Sequence, residues 1–101
     1  MDVIIQSLGF KAGSELEAYI QEKLGKLDRR LPEVVRANVV LFLGPESQPD
    51  NKHCEIRLEM PGNDPFVNKH GETWELAIVE AVDTLETIVR KTKEKMADRR
   101  P

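Results

Sequence analysis

The side chains in this chain with the clearest capacity for chemistry are cations gathered into two short stretches. Residues 21–30 carry Lys23, Lys26, Arg29 and Arg30 against Glu22 and Asp28, and residues 90–100 carry Arg90, Lys91, Lys93, Lys95, Arg99 and Arg100 against Glu94 and Asp98. Ten of the fifteen Lys and Arg residues therefore sit in segments with local balances of +2 and +4, although the protein is formally acidic at −3. The other 80 residues hold five basic and fourteen acidic side chains. Such a surface attracts a polyanion at two places and repels it elsewhere. Lys23, Lys26 and Arg30 are spaced i, i+3, i+7, which on a helix makes a line of cations rather than a scatter.

A plainer role competes with polyanion binding. Both stretches fall where a helix would end, and Lys and Arg at a helix C-terminus complement its dipole by about a few tenths of a kcal/mol each. Acidic residues lead both segments, Glu15, Glu17 and Glu22 in the first and Glu72, Glu75, Glu80, Asp83 and Glu86 in the second, as the dipole rule requires. The dipole accounts for the polarity but not for the density of charge, because one or two cations per end would suffice. From the residues alone, both readings stay open.

Catalytic groups do not assemble. Acyl transfer, phosphoryl transfer and metal hydrolysis each need particular side chains together. His53 and Cys54 are neighbours on a strand and point to opposite faces, so a buried Cys54 and a solvated His53 are expected rather than a metal pair. His70 has no partner at ligand spacing. Ser14 and Ser47 lack an adjacent base, and the six glycines match no phosphate-cradling pattern. The set argues against an enzyme and calls for no cofactor, metal or small-molecule substrate.

The elements that must position the cations follow from periodicity. A β-rich run from Asp2 to Leu8 predicts a first strand. Ser14 with Glu17 reads as a capping box opening a helix over about 14–30, whose apolar stripe is Leu16, Tyr19, Ile20, Leu24 and Leu27. Pro32 ends it, and Arg36 to Leu43 reads as a second strand. Residues 44–52, with two prolines, read as a mobile loop. Cys54, Ile56, Leu58 and Met60 alternate with polar residues, which predicts a third strand with one wet face. The turn sequence Pro61, Gly62, Asn63, Asp64 leads to a brief fourth strand at Phe66 and Val67. Trp74, Ile78, Ala81, Val82, Leu85, Ile88, Val89 and Met96 lie on one stripe of a second helix over about 72–96, a stripe assigned to the core rather than to a partner.

The predicted fold is α+β, a single β-α-β-β-β-α domain over residues 1–101. Its four-stranded mixed sheet carries two helices on one face. Apolar content of 40% and charged content of 33% fit a globular protein. The single Cys54 rules out an internal disulfide framework, and no apolar run is long enough for a signal peptide or membrane span, so a cytoplasmic location is expected.

Three segments carry a resemblance to a known family: Lys23, Leu24, Gly25, Lys26, Leu27 on the first helix; the run from Cys54 to Phe66 with Pro61, Gly62, Asn63, Asp64; and Thr73, Trp74, Glu75 with Ala77. With the element order, these resemble the ribosome hibernation-promoting factor family, also called ribosome-associated translation inhibitors or sigma-54 modulation proteins. The resemblance covers nearly the whole chain and is to the short form, without the additional C-terminal domain of the long form. It implies a fold similar to double-stranded RNA-binding domains. It also implies a monomer when free, whose partner is the rRNA of the small ribosomal subunit. There it would occupy the mRNA and tRNA channel and silence translation as growth slows, in stress and stationary phase. Lys23, Lys26 and Arg29 match cations of the family's first helix, and Lys91, Lys93 and Lys95 match its basic second-helix tail; phosphate contact is their implied role. Arg30 and Arg90 complete the candidate RNA-binding set. Thr84, Glu86 and Thr87 stand where relatives commonly carry Lys or Arg facing RNA, and Glu75 where some carry an aromatic residue. These departures keep open a rival in which the chain is a small protein-interaction module that ignores nucleic acid.

Overall fold

Residue-by-residue alternation of burial along the strands decides which side of the sheet is the inside. The computed structural model describes the backbone of residues 1–98 and the side chains through Thr92. The elements are β1 (Asp2–Leu8), α1 (Ser14–Arg30), β2 (Arg36–Leu43), β3 (Lys52–Glu59), β4 (Phe66–Gly71) and α2 (Trp74–Asp98). The strands lie in the order β1-β2-β3-β4, with β1 parallel to β2 and the other two pairs antiparallel. Ala37, Val39 and Leu41 of β2, Cys54, Ile56 and Leu58 of β3, and Val67 of β4 all point inward and are buried. Onto them pack Ile20, Leu24 and Leu27 of α1 and Ala77, Ile78, Ala81, Val82, Leu85 and Val89 of α2. The stripe from Trp74 to Val89 is thus spent on the core, as expected, and the Met96 side chain expected to continue it lies outside the described residues. Among the described residues, no helix covers the opposite face of the sheet.

Topology fixes how the helices run. Two antiparallel pairings in succession make β4 parallel to β2, and hence to β1. Each helix follows one of these co-directional strands and returns across the same face. The two helices therefore lie side by side in the same direction, the last residue of α1 reaching Glu86 in the middle of the longer α2.

Three local expectations need correction. Ser14 does not cap α1: Gly13 is the N-cap residue, its carbonyl accepts the Glu17 N–H at 3.1 Å, and no side chain makes a capping bond. Starting the turn at Gly13 makes Ser14 the first helical residue, beyond the position from which its hydroxyl could serve the third amide. A side-chain cap occurs on α2 instead, where Thr73 Oγ1 accepts the Leu76 N–H at 3.1 Å and the helix begins two residues later than expected. β4 is not brief, continuing through Asn68, Lys69 and His70 to Gly71, because its pairing with β3 outweighs the weak strand preference of those residues. Residues 44–51 form a loop as expected, with the Gly44 N–H donating to the Asn51 carbonyl at 2.7 Å across its base, and β3 already begins at Lys52.

Cys54 is fully buried in the middle of this core, and burial pushes its thiol up to about 12 from an ordinary 9.0, with Glu55 adding to the rise. The folded protein keeps this proton at pH values where the unfolded chain gives it up. Stability contributed by the neutral thiol is therefore intact below pH 9 and declines between about 9 and 12, by up to about 1.4 kcal/mol per pH unit. Urea melts across that interval measure the decline, and Cys54→Ala removes this component of it. A thiol reagent at pH 8 labels Cys54 only as fast as the protein unfolds.

Candidate nucleic-acid interface

By burying Ile20, Leu24 and Leu27, α1 turns its remaining stripes outward, and one of them carries Lys23, Lys26 and Arg30 beside α2. The facing stripe of α2 presents Val79, Val82, Asp83 and Glu86. Together these residues and Leu27 line a cleft of about 210 Å³ between the two helices. Three cations meet two carboxylates over an apolar floor. Lys23 is half-buried, its Nζ 5.2 Å from the centre of the Tyr19 ring, and Lys26 lies 4.0 Å from Glu22 one turn earlier. The Lys26 pair is exposed on both sides and so contributes little to stability.

At the far end of the cleft one carboxylate holds two arginines. Arg30 Nη1, from the last residue of α1, and Arg90 Nη2, at 3.0 Å, both donate to Oε1 of Glu86. Arg29 is exposed and shares an outer recess with Lys26 and Arg30. Lys91 is exposed on α2. Lys93 and Lys95 fall in the helical span of α2, but their side chains lie outside the described residues, as do Arg99 and Arg100 entirely.

The structure thus brings Lys23, Lys26, Arg30 and Arg90 to one groove, with Arg29 on its rim. The line of cations read from the sequence is a wall of a groove between helices. Glu86, read as a residue replacing a cation on an outward face, instead points into that groove and is only 18% exposed. Its i,i+4 spacing to Arg90 was the available signal. Its bond to Arg30, across 56 residues, had none. Thr87 is occupied by its own helix, donating to the Asp83 carbonyl at 3.1 Å.

The opposite face of the sheet also differs from expectation. His53 is half-buried rather than solvated, stacked on Phe42 with centroids 4.7 Å apart, and its ring lies 5.2 Å from that of His70. His70 places its Nδ1 3.0 Å from Asp50 Oδ2, an acidic neighbour supplied by the 44–52 segment. The register explains this row, since Phe42, His53 and His70 are direct cross-strand neighbours. Further along that face, hydrogen bonds from Asn38 and then Arg36 hold the Glu59 carboxyl below its usual range. Among the described residues, no group of three or more His, Cys, Asp or Glu is arranged to hold a metal ion. No helix among them is long and apolar enough to cross a membrane.

The model of the family described as sigma 54 modulation protein / S30EA ribosomal protein matches residues 3–97. The chain belongs to this family. Among solved structures, the S30EA chain is similar to the N-terminal domain of Protein Y from Thermus thermophilus. That match has a TM-score of 0.77 and 28% identity, and covers 91% of this chain and 99% of that one. It is also similar to a ribosomal subunit interface protein from Coxiella burnetii, with a TM-score of 0.83 over 93% of this chain and 99% of that one. At 15% identity the latter likeness concerns the fold alone. No curated protein sequence matches the chain. Membership of the S30EA family implies a ribosome-associated factor, a non-enzymatic kind of protein.

Proposed function

We propose that this protein is a cytoplasmic ribosome hibernation factor, monomeric when free, that binds the rRNA of the small subunit in the mRNA and tRNA channel and blocks translation by occupying it. The observation that carries this reading is the convergence of Lys23, Lys26 and Arg30 on one groove, where the end of α1 meets the middle of α2 and Arg90 joins Arg30 on Glu86. Dipole complementation requires cations only on their own helix; it does not require the cations of two helices to share a groove. In this mechanism the contacts to RNA phosphates are drawn from Lys23, Lys26, Arg29, Arg30, Arg90, Lys91, Lys93 and Lys95, while the packed sheet and helices fill space that tRNA and mRNA need. No base-specific contact is required, because phosphate contacts position a protein without reading sequence.

The test is the salt dependence of binding to purified small subunits. With Arg30 and Arg90 engaged by Glu86, six of the eight candidate cations remain. About six phosphate contacts correspond to a log affinity versus log salt slope of about −4 to −5. A slope near zero, or no binding at low salt, rejects the reading in favour of a protein-interaction module.

A further inference from the structure

We propose that Glu86 sets the strength of the RNA grip, its carboxylate competing with backbone phosphate for Arg30 and Arg90. The inference rests on the phosphate-binding reading of the groove and adds to it a residue that weakens that binding. A carboxylate and a phosphodiester offer guanidinium the same thing, negatively charged oxygens that accept paired N–H donors. Here one oxygen, Glu86 Oε1, already accepts from an arginine on each helix. The arginines are 63% and 65% exposed and reach inward to a carboxylate that is 18% exposed. A simple surface pair would join two exposed groups on one helix, as Glu22 and Lys26 do.

Two effects of Glu86 oppose each other. Fixing two long side chains in place lowers the ordering cost of any later contact. Against that, the fixed rotamers aim both guanidiniums at the recessed carboxylate, away from an RNA strand lying across the mouth of the groove. A phosphate entering beside Glu86 also meets a like charge, and Asp83 adds a second carboxylate on the same wall. Both arginines must turn outward to serve RNA, and Glu86 resists that turn. Competition therefore outweighs pre-organisation. The protein binds through the other six candidate cations, Lys23, Lys26 and Arg29 among them, with two arginines held back, so its affinity is lower than its cations would allow.

Glu86→Gln keeps the shape and removes the charge, and Glu86→Ala removes the acceptor as well. Both are expected to bind small subunits about tenfold more tightly at 0.1 M salt, with the log–log slope steeper by about 1 to 2, one for each arginine released. Glu80→Gln, an exposed position on α2, makes the same change in net charge and is expected to leave the slope unaltered. In an Arg30→Ala, Arg90→Ala background the gain from Glu86→Gln disappears. Unchanged or weaker binding by both Glu86 variants overturns the inference, as does a gain that survives loss of the two arginines.

Inorganic polyphosphate, titrated while the arginine Nε–H resonances are followed, separates this inference from the ribosome reading. Tighter polyphosphate binding by Glu86→Gln, with no subunit binding by any variant, sustains Glu86 as a competitor and removes the ribosome. Salt-dependent subunit binding that Glu86 variants do not alter sustains the ribosome and removes the competitor.

Discussion

Replacing Lys23, Lys26 and Arg29 with glutamate is expected to abolish co-sedimentation with small ribosomal subunits while the thermal melt stays within a few degrees of the parent protein. Each substitution exchanges a cation for an anion on the α1 side of the groove, a swing of six charges where phosphate would lie. Losing the favourable contacts alone removes three of the six available cations, which at 0.1 M salt corresponds to a factor of about 100 or more in affinity. The reversed charges add repulsion to that loss. The fold tolerates the change because Lys26 and Arg29 are exposed and Lys23 is half-buried, and none of the three holds a partner across helices among the described residues. Arg30 is left in place deliberately, since a glutamate there would face Glu86 and unsettle the helix pair. Retained co-sedimentation by the triple variant would assign RNA binding to some other surface.

The complementary result is expected from Ile56→Ala, which weakens the fold and spares the grip. Ile56 is fully buried at the centre of β3, flanked in register by Val39 and Val67. Removing three methyl or methylene carbons there leaves a cavity that the surrounding strands cannot close, at a cost of about 2–5 kcal/mol. For a chain of this size that lowers the melting temperature by roughly 10 °C or more. The groove lies on the outer side of α1 and α2, so at a temperature where the variant is folded its salt slope matches that of the parent. A melt shifted by less than about 3 °C would mean that the site collapses around the missing atoms.

Most of the fold is visible in the sequence because burial on one face imposes a period. Cys54, Ile56 and Leu58 alternate, the α2 stripe repeats at helical spacing, and both patterns survive into the structure with β1, α1, β2 and β3 closely bounded. Failures occur where long-range pairing decides. Nothing local in Asn68-Lys69-His70 favours a strand; pairing to His53, Cys54 and Glu55 makes it one. Ser14 has the right type for a cap, but the backbone turns one residue earlier. The site divides in the same way. Its cations are legible as a helical line on α1, whereas the Arg30–Glu86–Arg90 junction depends on two helices running in the same direction, a consequence of strand order that no residue announces.

The lone tryptophan sits at the end of the molecule away from this junction. Trp74 opens α2 and stacks on Phe10 with centroids 4.5 Å apart and planes inclined by 13°. The separation of twelve positions from Trp74 to Glu86 places this stack about 18 Å along the helix axis from the carboxylate that holds the arginine pair. Its fluorescence is therefore a private gauge of whether the start of α2 is seated on the chain that follows β1. An emission spectrum unmoved by saturating polyanion, yet red-shifted in denaturant, would let one cuvette distinguish an occupied protein from a damaged one.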